Sequence, residues 1–289
     1  MRFRVCVGGL RRWGLNGWFS GLGRRWGLHG WFGGLVFVYN IDRIEVLDAF
    51  EIYTSSQYWN PLPRSPLVFK FKHLGEIIYA INNHYKCCGD GSIDLGNSND
   101  EENRRLEANI LIEDYISQFH SNDRVILLGD LNDVITEPAF SNVFTPFLNE
   151  PEHYMFADMN LALGSSAGWS YPSWPSHIDH ILVTNELVND LLQPETVVES
   201  IDIASHLTGG WSMYDSNISD HRPVVMRIVP SQAGEGEVET ATNYTNVELI
   251  GISDVLGRKC KYQPSQLLLY RYSDGTVVKR FSSSARQPE

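Results

Sequence analysis

A chain of 289 residues, 43% of them hydrophobic, can bury a full-sized core and has room for a small appendage. Its formal net charge of -12 and pI near 5.2 exclude a protein that holds nucleic acid stably on a basic face, because such binding relies on cations that displace counterions from phosphates. They leave room for an enzyme that visits a phosphodiester briefly, since a bound divalent cation supplies positive field.

The first 35 residues carry Arg2, Arg4, Arg11, Arg12, Arg24 and Arg25 without one Asp or Glu, and RRWGLNGWFSGL returns there as RRWGLHGWFGGL. This reads as a tandem Arg/Trp/Gly repeat of low complexity, outside the domain that follows. It has no apolar run long enough for a transmembrane anchor, and its basic residues interrupt the h-region that a signal peptide requires. From residue 36 to 230 the texture is that of an α/β domain. GLVFVYN and RIEVLDAFEIY read as strands, SPLVFKFKH and EIIYAINNH as a pair turning at Leu74 and Gly75, and RVILLG as a short buried strand. Ser98 and Glu101 suit a capping box that opens a helix, with Ala108, Leu111, Ile112, Tyr115, Ile116 and Phe119 as its apolar stripe. Four cysteines, Cys6, Cys87, Cys88 and Cys260, are too few for a disulfide framework and lack zinc-site spacing. The adjacent Cys87 and Cys88 either stay reduced, bond elsewhere or join as a vicinal disulfide.

Polar chemistry gathers at the ends of these runs. Asp130 and Asn132 in LLGDLND stand two apart, so an extended backbone presents both on one face, although an Asx turn closing the strand would look the same. His84 follows INN, and two Asp-His pairs, Asp179-His180 and Asp220-His221, border β-branched runs. Each cluster alone is compatible with an ordinary polar strand end.

Together, NNHYK, LLGDLND, HIDHILV and SDHRPVV resemble, motif by motif and in order, the endonuclease/exonuclease/phosphatase superfamily of DNase I-like, magnesium-dependent phosphodiesterases. The resemblance spans about Gly34 to Val229, and Arg64 in PRSPLVFKF matches a family arginine near the substrate phosphates. It implies an α/β four-layer sandwich: two packed mixed β-sheets flanked by helices, with the site where strand ends and loops meet. It further implies that His221, oriented by Asp179, takes a proton from water, with His180 a structural neighbour. Asp130 and Asn132 would position nucleophile and scissile phosphate, Asn132 and Arg64 binding substrate. Asp220 and Asp130 would hold Mg²⁺, with Mn²⁺ a possible substitute, and His84 would stabilise or protonate the phosphoryl oxygens. Nucleic acid is the expected substrate, with phospholipid or inositol phosphate as the alternative.

The family's first strand carries an Asn and its second motif a Glu that is the principal metal ligand. Both would lie upstream of FVYNIDRIEVLD, where this chain has its Arg/Trp/Gly repeat. The expectation is a domain lacking its N-terminal motifs, from a truncated or misjoined gene, and the alternative function is a catalytically inactive scaffold. Changes beside a metal ligand already cost roughly ten- to a hundred-fold in affinity or activity, so losing the ligand costs at least that.

Two loops add features. Asp90, Asp94 and Asp100 in the loop 87–101 offer oxygen donors for Ca²⁺ without EF-hand spacing, so a solvated acidic loop is the alternative. Trp169, Tyr171 and Trp174 in GWSYPSWPSH either stack on a substrate or pack as anchors. Residues 231–246 read as a flexible acidic linker and 247–289 as a small β-unit with a turn at Asp274-Gly275. DVLGR and LLLYRYSDGTVVKR resemble the C-terminal sorting domains of the type IX secretion route of the Bacteroidota, which implies a secreted or cell-surface monomer that meets the secretion machinery through its tail.

Overall fold

Strands with apolar side chains on both faces need cover on both sides, and the middle of this chain supplies several in succession. The computed structural model describes residues 3–7, 26–29, 34–231, 249–254, 258–259, 267–272 and 277–281, in two compact units, 1–231 and 232–289. In the first unit lie β1 (Phe3–Val7), β2 (Trp26–His29), β3 (Phe37–Asn40), β4 (Glu45–Glu51), β5 (Leu67–His73) and β6 (Glu76–His84). Helix α1 (Glu101–Phe119) precedes β7 (Arg124–Asp130), β8 (Tyr154–Phe156), β9 (Asp179–Thr184), β10 (Val197–Ser200) and β11 (Val224–Ile228). A six-stranded mixed sheet runs β4-β5-β6-β7-β9-β8, and a three-stranded sheet runs β1-β11-β10.

The hairpin β5-β6 closes on Leu74 and Gly75, both at positive φ, with His73 opposite Glu76. β6 and β7 are parallel, which requires a long crossover, and α1 supplies it. The other pairings described in the two sheets are antiparallel, including both in the smaller sheet among the described residues.

Strand alternation then sorts side chains into two cores. On one face of the large sheet Val125, Leu127, Ile81 and Leu182 pack with Ala108, Ile112 and Ile116 of α1 and with Phe144 and Phe147. On the other, Ile126, Leu128, Ala80, Ile181 and Val183 pack against Val224, Met226 and Ile228 of β11, so the two sheets are stacked. The result is an α/β sandwich of helix, large sheet and small sheet. Burying each of these aliphatic side chains contributes about 1.5–3 kcal/mol against leaving it in water.

The N-cap of α1 is Asp100, whose carboxylate accepts from Asn103 N–H at 2.8 Å, so the helix begins two residues later than a box opened by Ser98 would have it. Asp and Ser are near-equal caps, and here the extended backbone of Asp100 decides. Of the expected stripe, Ala108, Ile112 and Ile116 are buried while Phe119, in the last turn, is 66% exposed.

Two short strands from the first 35 residues are among those described. β1 pairs with β11, Phe3 opposite Ile228, and β2 pairs with β3, Trp26 opposite Asn40. Sheet pairing is made by backbone groups, so an unusual composition does not prevent it. The rest of that repeat lies outside the described residues.

The second unit contains β12 (Leu249–Asp254), β13 (Leu267–Tyr272) and β14 (Val277–Phe281), an antiparallel sheet in that order. The Asp274-Gly275 turn and the linker beyond Ser231 lie outside the described residues. Among the described residues, no helix is long and apolar enough to cross a membrane.

Candidate active site

Three neighbouring strands bring one residue each to the same row. His84 is opposite Asp130 in the parallel pair β6-β7, and Asp130 is opposite Asp179 in the antiparallel pair β7-β9. By strand alternation all three share the face turned toward the small sheet, the face of Ala80, Ile126, Leu128 and Ile181. His221 reaches the row from the segment leading into β11.

Its Nδ1–H donates to Asp179 Oδ2 at 2.6 Å, its Nε2 lies 3.9 Å from Asp130 Oδ2, and His84 Nε2 lies 3.6 Å from that same oxygen. Asp130, Asp179 and His221 form one of two groups among the described residues whose ligand atoms lie within 4.8 Å of one another, as a metal ion requires. Asp179 is fully buried, and its second oxygen, Oδ1, has no hydrogen-bond partner.

Burial works against a charged His221, but the hydrogen bond and charge of Asp179, with Asp130 and Asp220, outweigh it and push the imidazole up to about 9. Burial and the charge of Asp179 raise Asp130 to about 7, against the pull of His221 and the Asn132 N–H. Burial and the cations Arg64 and His221 lower His84 to about 4. Two carboxylates thus share a site with too little positive charge, the setting in which a cation binds.

The loop after β7 is fixed by its own bonds. Asn132 N–H donates to Asp130 Oδ1 at 3.1 Å and its side-chain amide donates to the Tyr85 carbonyl at 3.1 Å, while its φ of 54° lies in the left-handed region. The Asx turn and the substrate-facing reading are therefore both compatible with this residue. Just before it, Gly129 stands at φ 146°, and a Cβ there would overlap the Asn83 carbonyl, so this close approach of β6 to β7 requires glycine.

The expected site residues are not all equally central. Arg64 is half-buried and close enough for its charge to act on His84. Asp220 acts electrostatically on His221 but belongs to neither metal-compatible group. The calcium expectation meets a different arrangement: Asp90 accepts from Ser92 N–H, Asp94 from Gly96 N–H, and Asp100 caps α1. None of the three belongs to a metal-compatible group among the described residues, and one oxygen of each is engaged in a local backbone bond.

Near His221 the aromatic loop takes on definite roles. The Tyr171 ring lies 4.9 Å from the His221 ring, and Trp169 donates from Nε1 to the Leu161 carbonyl as an anchor, whereas Trp174 is 79% exposed. Ser170 Oγ accepts from the N–H groups of Ile178 and Asp179, and its carbonyl accepts from Arg222 N–H at 2.7 Å, which ties this loop to both halves of the Asp-His pair.

The second metal-compatible group is Asp158, His177 and His180, and all three are buried. His180 donates from Nδ1 to Asp158 at 2.6 Å and from Nε2 to the Asp133 carbonyl at 2.8 Å, a pattern that only the imidazolium satisfies. Burial opposes that charge but Asp158 holds it, and Asp158 in turn stays below the usual carboxylate range although burial would raise it. His180 points to the opposite face from Asp179, toward Phe144 and Phe156, as adjacent strand residues must. Asp158, which sequence reasoning missed, stands in FADMN with no pattern to mark it. An open concavity of about 440 Å³ lined by Arg43, Glu45, Lys72 and Gly75 lies at the far end of the β5-β6 hairpin. It contains none of the row's residues, and the chemistry belongs to the row.

A mixed sheet stacked on a smaller one, with an Asp-His pair and a second Asp at the strand ends, defines a DNase I-like α/β sandwich. The chain belongs to the endonuclease/exonuclease/phosphatase family, whose pattern it matches over residues 5–221. Members of that family generally depend on a divalent metal, and no curated protein matches the chain. Among solved structures, the TDP2 of D. rerio complexed with single strand DNA product is 12% identical with a TM-score of 0.47, the match covering 71% of this chain and 77% of that one. The endonuclease/exonuclease/phosphatase from Bacteroides vulgatus is 15% identical with a TM-score of 0.43, covering 80% and 77%. The mannosyl-6-phosphatase of Bacteroides thetaiotaomicron is 15% identical with a TM-score of 0.42, covering 72% and 78%.

Proposed function

We propose that this protein is a Mg²⁺-dependent phosphodiester hydrolase in which His221, oriented by Asp179, activates water for attack on phosphorus, with nucleic acid as substrate. The observation that carries this reading is the 2.6 Å bond from His221 Nδ1 to buried Asp179, which leaves Nε2 turned toward Asp130. With Nδ1–H committed to the carboxylate, His221 in its neutral form has its lone pair on Nε2 and can take a proton there; the positive field of a bound cation would favour that form over the imidazolium of the metal-free site. Asp130 and Asn132 would hold the scissile group, and Arg64 would face its negative oxygens beside His84.

The donor set fits a hard cation: Asp179 Oδ1 is buried without a partner, and Asp130 Oδ2 lies at non-bonding distances from two imidazoles. Asp130, with Asp220 as a further donor, would hold Mg²⁺, or Mn²⁺ in its place. Held there, the ion would supply Lewis acidity and would offset the charge that develops at phosphorus. The test is cleavage of plasmid DNA with Mg²⁺, using EDTA and His221→Ala as controls. Cleavage lost in both controls is expected; cleavage that survives either one overturns the assignment.

A second reading, a catalytically inactive scaffold, is favoured by one feature: neither metal-compatible group among the described residues contains a glutamate. It predicts no cleavage of DNA, phospholipid or inositol phosphate at any divalent metal concentration. The resemblance of the tail to sorting domains supports export as a further part of the proposal. Deleting residues 232–289 should then retain the protein in a bacterium that has the type IX route, and unchanged export would refute it.

A further inference from the structure

Downstream of His84 the chain places two thiols side by side. Cys87 and Cys88 are both free and exposed, with Sγ atoms 3.0 Å apart. Cys88 has φ 75°, a left-handed backbone that costs a non-glycine residue of order 1–3 kcal/mol, so the surroundings must hold it there. They do so through buried Arg105, whose Nη1 donates to the Lys86 carbonyl at 2.9 Å and to the Cys88 carbonyl at 2.7 Å. Arg105 is itself clamped by Asp133 at 2.8 Å and Glu102 at 3.1 Å. Gly89 completes the turn, since a Cβ there would overlap the Glu102 carboxylate.

The two sulfurs are not equivalent. Cys88 donates its S–H to Cys87 Sγ, and Lys86 Nζ lies 3.9 Å from Cys87 Sγ, within reach of a thiolate there. The hydrogen bond and charge of Cys87 hold the Cys88 thiol above its ordinary value, so Cys88 keeps its proton, and Cys87 is the sulfur that has an ammonium beside it.

We propose that Cys87 and Cys88 form a reversible dithiol–disulfide couple that exchanges with low-molecular-weight disulfides, with Cys87 as the attacking sulfur and Cys88 as the resolving one. The Cys87 thiolate attacks one sulfur of R–S–S–R, forming a mixed disulfide and expelling RS⁻. Cys88 then gives up its proton and attacks the Cys87 sulfur, forming the Cys87–Cys88 bond and expelling a second RS⁻. Two electrons pass from the dithiol to the small disulfide, and the two thiol protons leave with two RSH. This couple is independent of the phosphodiesterase reading, because its chemistry involves no residue of that site.

Trypsin cleavage after Lys86 and Arg104 isolates both cysteines in one peptide, Cys87–Arg104, which contains neither Cys6 nor Cys260. The full-length protein is incubated with excess oxidised glutathione, alkylated, digested and weighed. The expected result is a peptide without alkyl groups and lighter by two hydrogens, reverting to a doubly alkylated one after reduction. Cys88→Ser should trap the glutathione adduct on Cys87, and Cys87→Ser should form one on Cys88 more slowly, because Lys86 stands beside Cys87 Sγ. Two alkylated thiols after oxidation would overturn the couple, and adducts forming equally fast in the two variants would overturn the assigned roles.

Discussion

Asp130→Asn tests the electrostatics of the site without changing its shape. The amide keeps an oxygen to accept from Asn132 N–H and removes only the charge that Asp179 opposes. Asp130 is raised in the folded protein from 3.8 to about 7, so the native state binds a proton that the unfolded chain releases. Its contribution to stability is therefore complete below the unfolded value and is lost as pH rises through the folded one. A shift of about 3 units at 1.36 kcal/mol each sets an upper limit of about 4 kcal/mol on that loss, and dielectric response of the interior reduces it to about 2. Urea unfolding in EDTA, followed by tryptophan fluorescence, should show Asp130→Asn more stable than the parent by about 2 kcal/mol at about pH 8 and equal to it near pH 4. The same substitution should abolish hydrolysis. A variant that is less stable at both pH values, by the same amount, would refute the claim that the two carboxylates are set against each other in the metal-free site.

Three further outcomes follow from the geometry. In ¹H–¹⁵N spectra of the metal-free protein His221 should titrate near 9, and Asp179→Asn should move it down by at least about one unit, because its bond and most of its opposing charge are lost; no movement would mean that the pair is not formed in solution. Hydrolysis should fall by about a hundred- to ten-thousand-fold in His221→Ala and by less in Asp179→Asn, which leaves a base in place; a reversed order would assign the proton transfer elsewhere. Gly129→Ala should destabilise by about 3 kcal/mol or more by thermal denaturation, since the new Cβ meets the Asn83 backbone at a strained φ, and a loss under about 1 kcal/mol would show that β6 and β7 separate easily.

The local signals in the sequence were read well where a single strand or turn carried them. β6 ends at His84 as EIIYAINNH suggests, β7 runs one residue past RVILLG to Asp130, and Leu74-Gly75 makes the turn between β5 and β6. The pairing of Asp179 with His221 was legible only through resemblance, since they stand 42 positions apart and no periodicity joins them. Long-range polar partners left no trace: Arg105 meets Asp133 across 28 positions and Asp158 meets His180 across 22. A buried ion pair needs its partner only in space, so neither residue type nor spacing announces it. The acidic loop carried two readings at once. Asp90, Asp94 and Asp100 look like ligands because they are oxygen donors, and the same short side chains are what close turns and cap helices.

Asp133 links the two kinds of site. It directly follows Asn132, and it joins Arg105 through its carboxylate and His180 through its carbonyl, while His180 continues to Asp158 and His177. The loop that carries Asp130 and Asn132 is thus anchored from behind by paired buried charges, on the face opposite the row that faces the small sheet. Those pairs hold rigid what the row itself would push apart, since Asp130 and Asp179 repel and one of the Asp179 oxygens is left without a donor. Adjacent Asp-His residues on β9 serve both purposes at once: alternation sends Asp179 to the row and His180 to the anchor, and a one-residue slip of that strand would exchange them and abolish both.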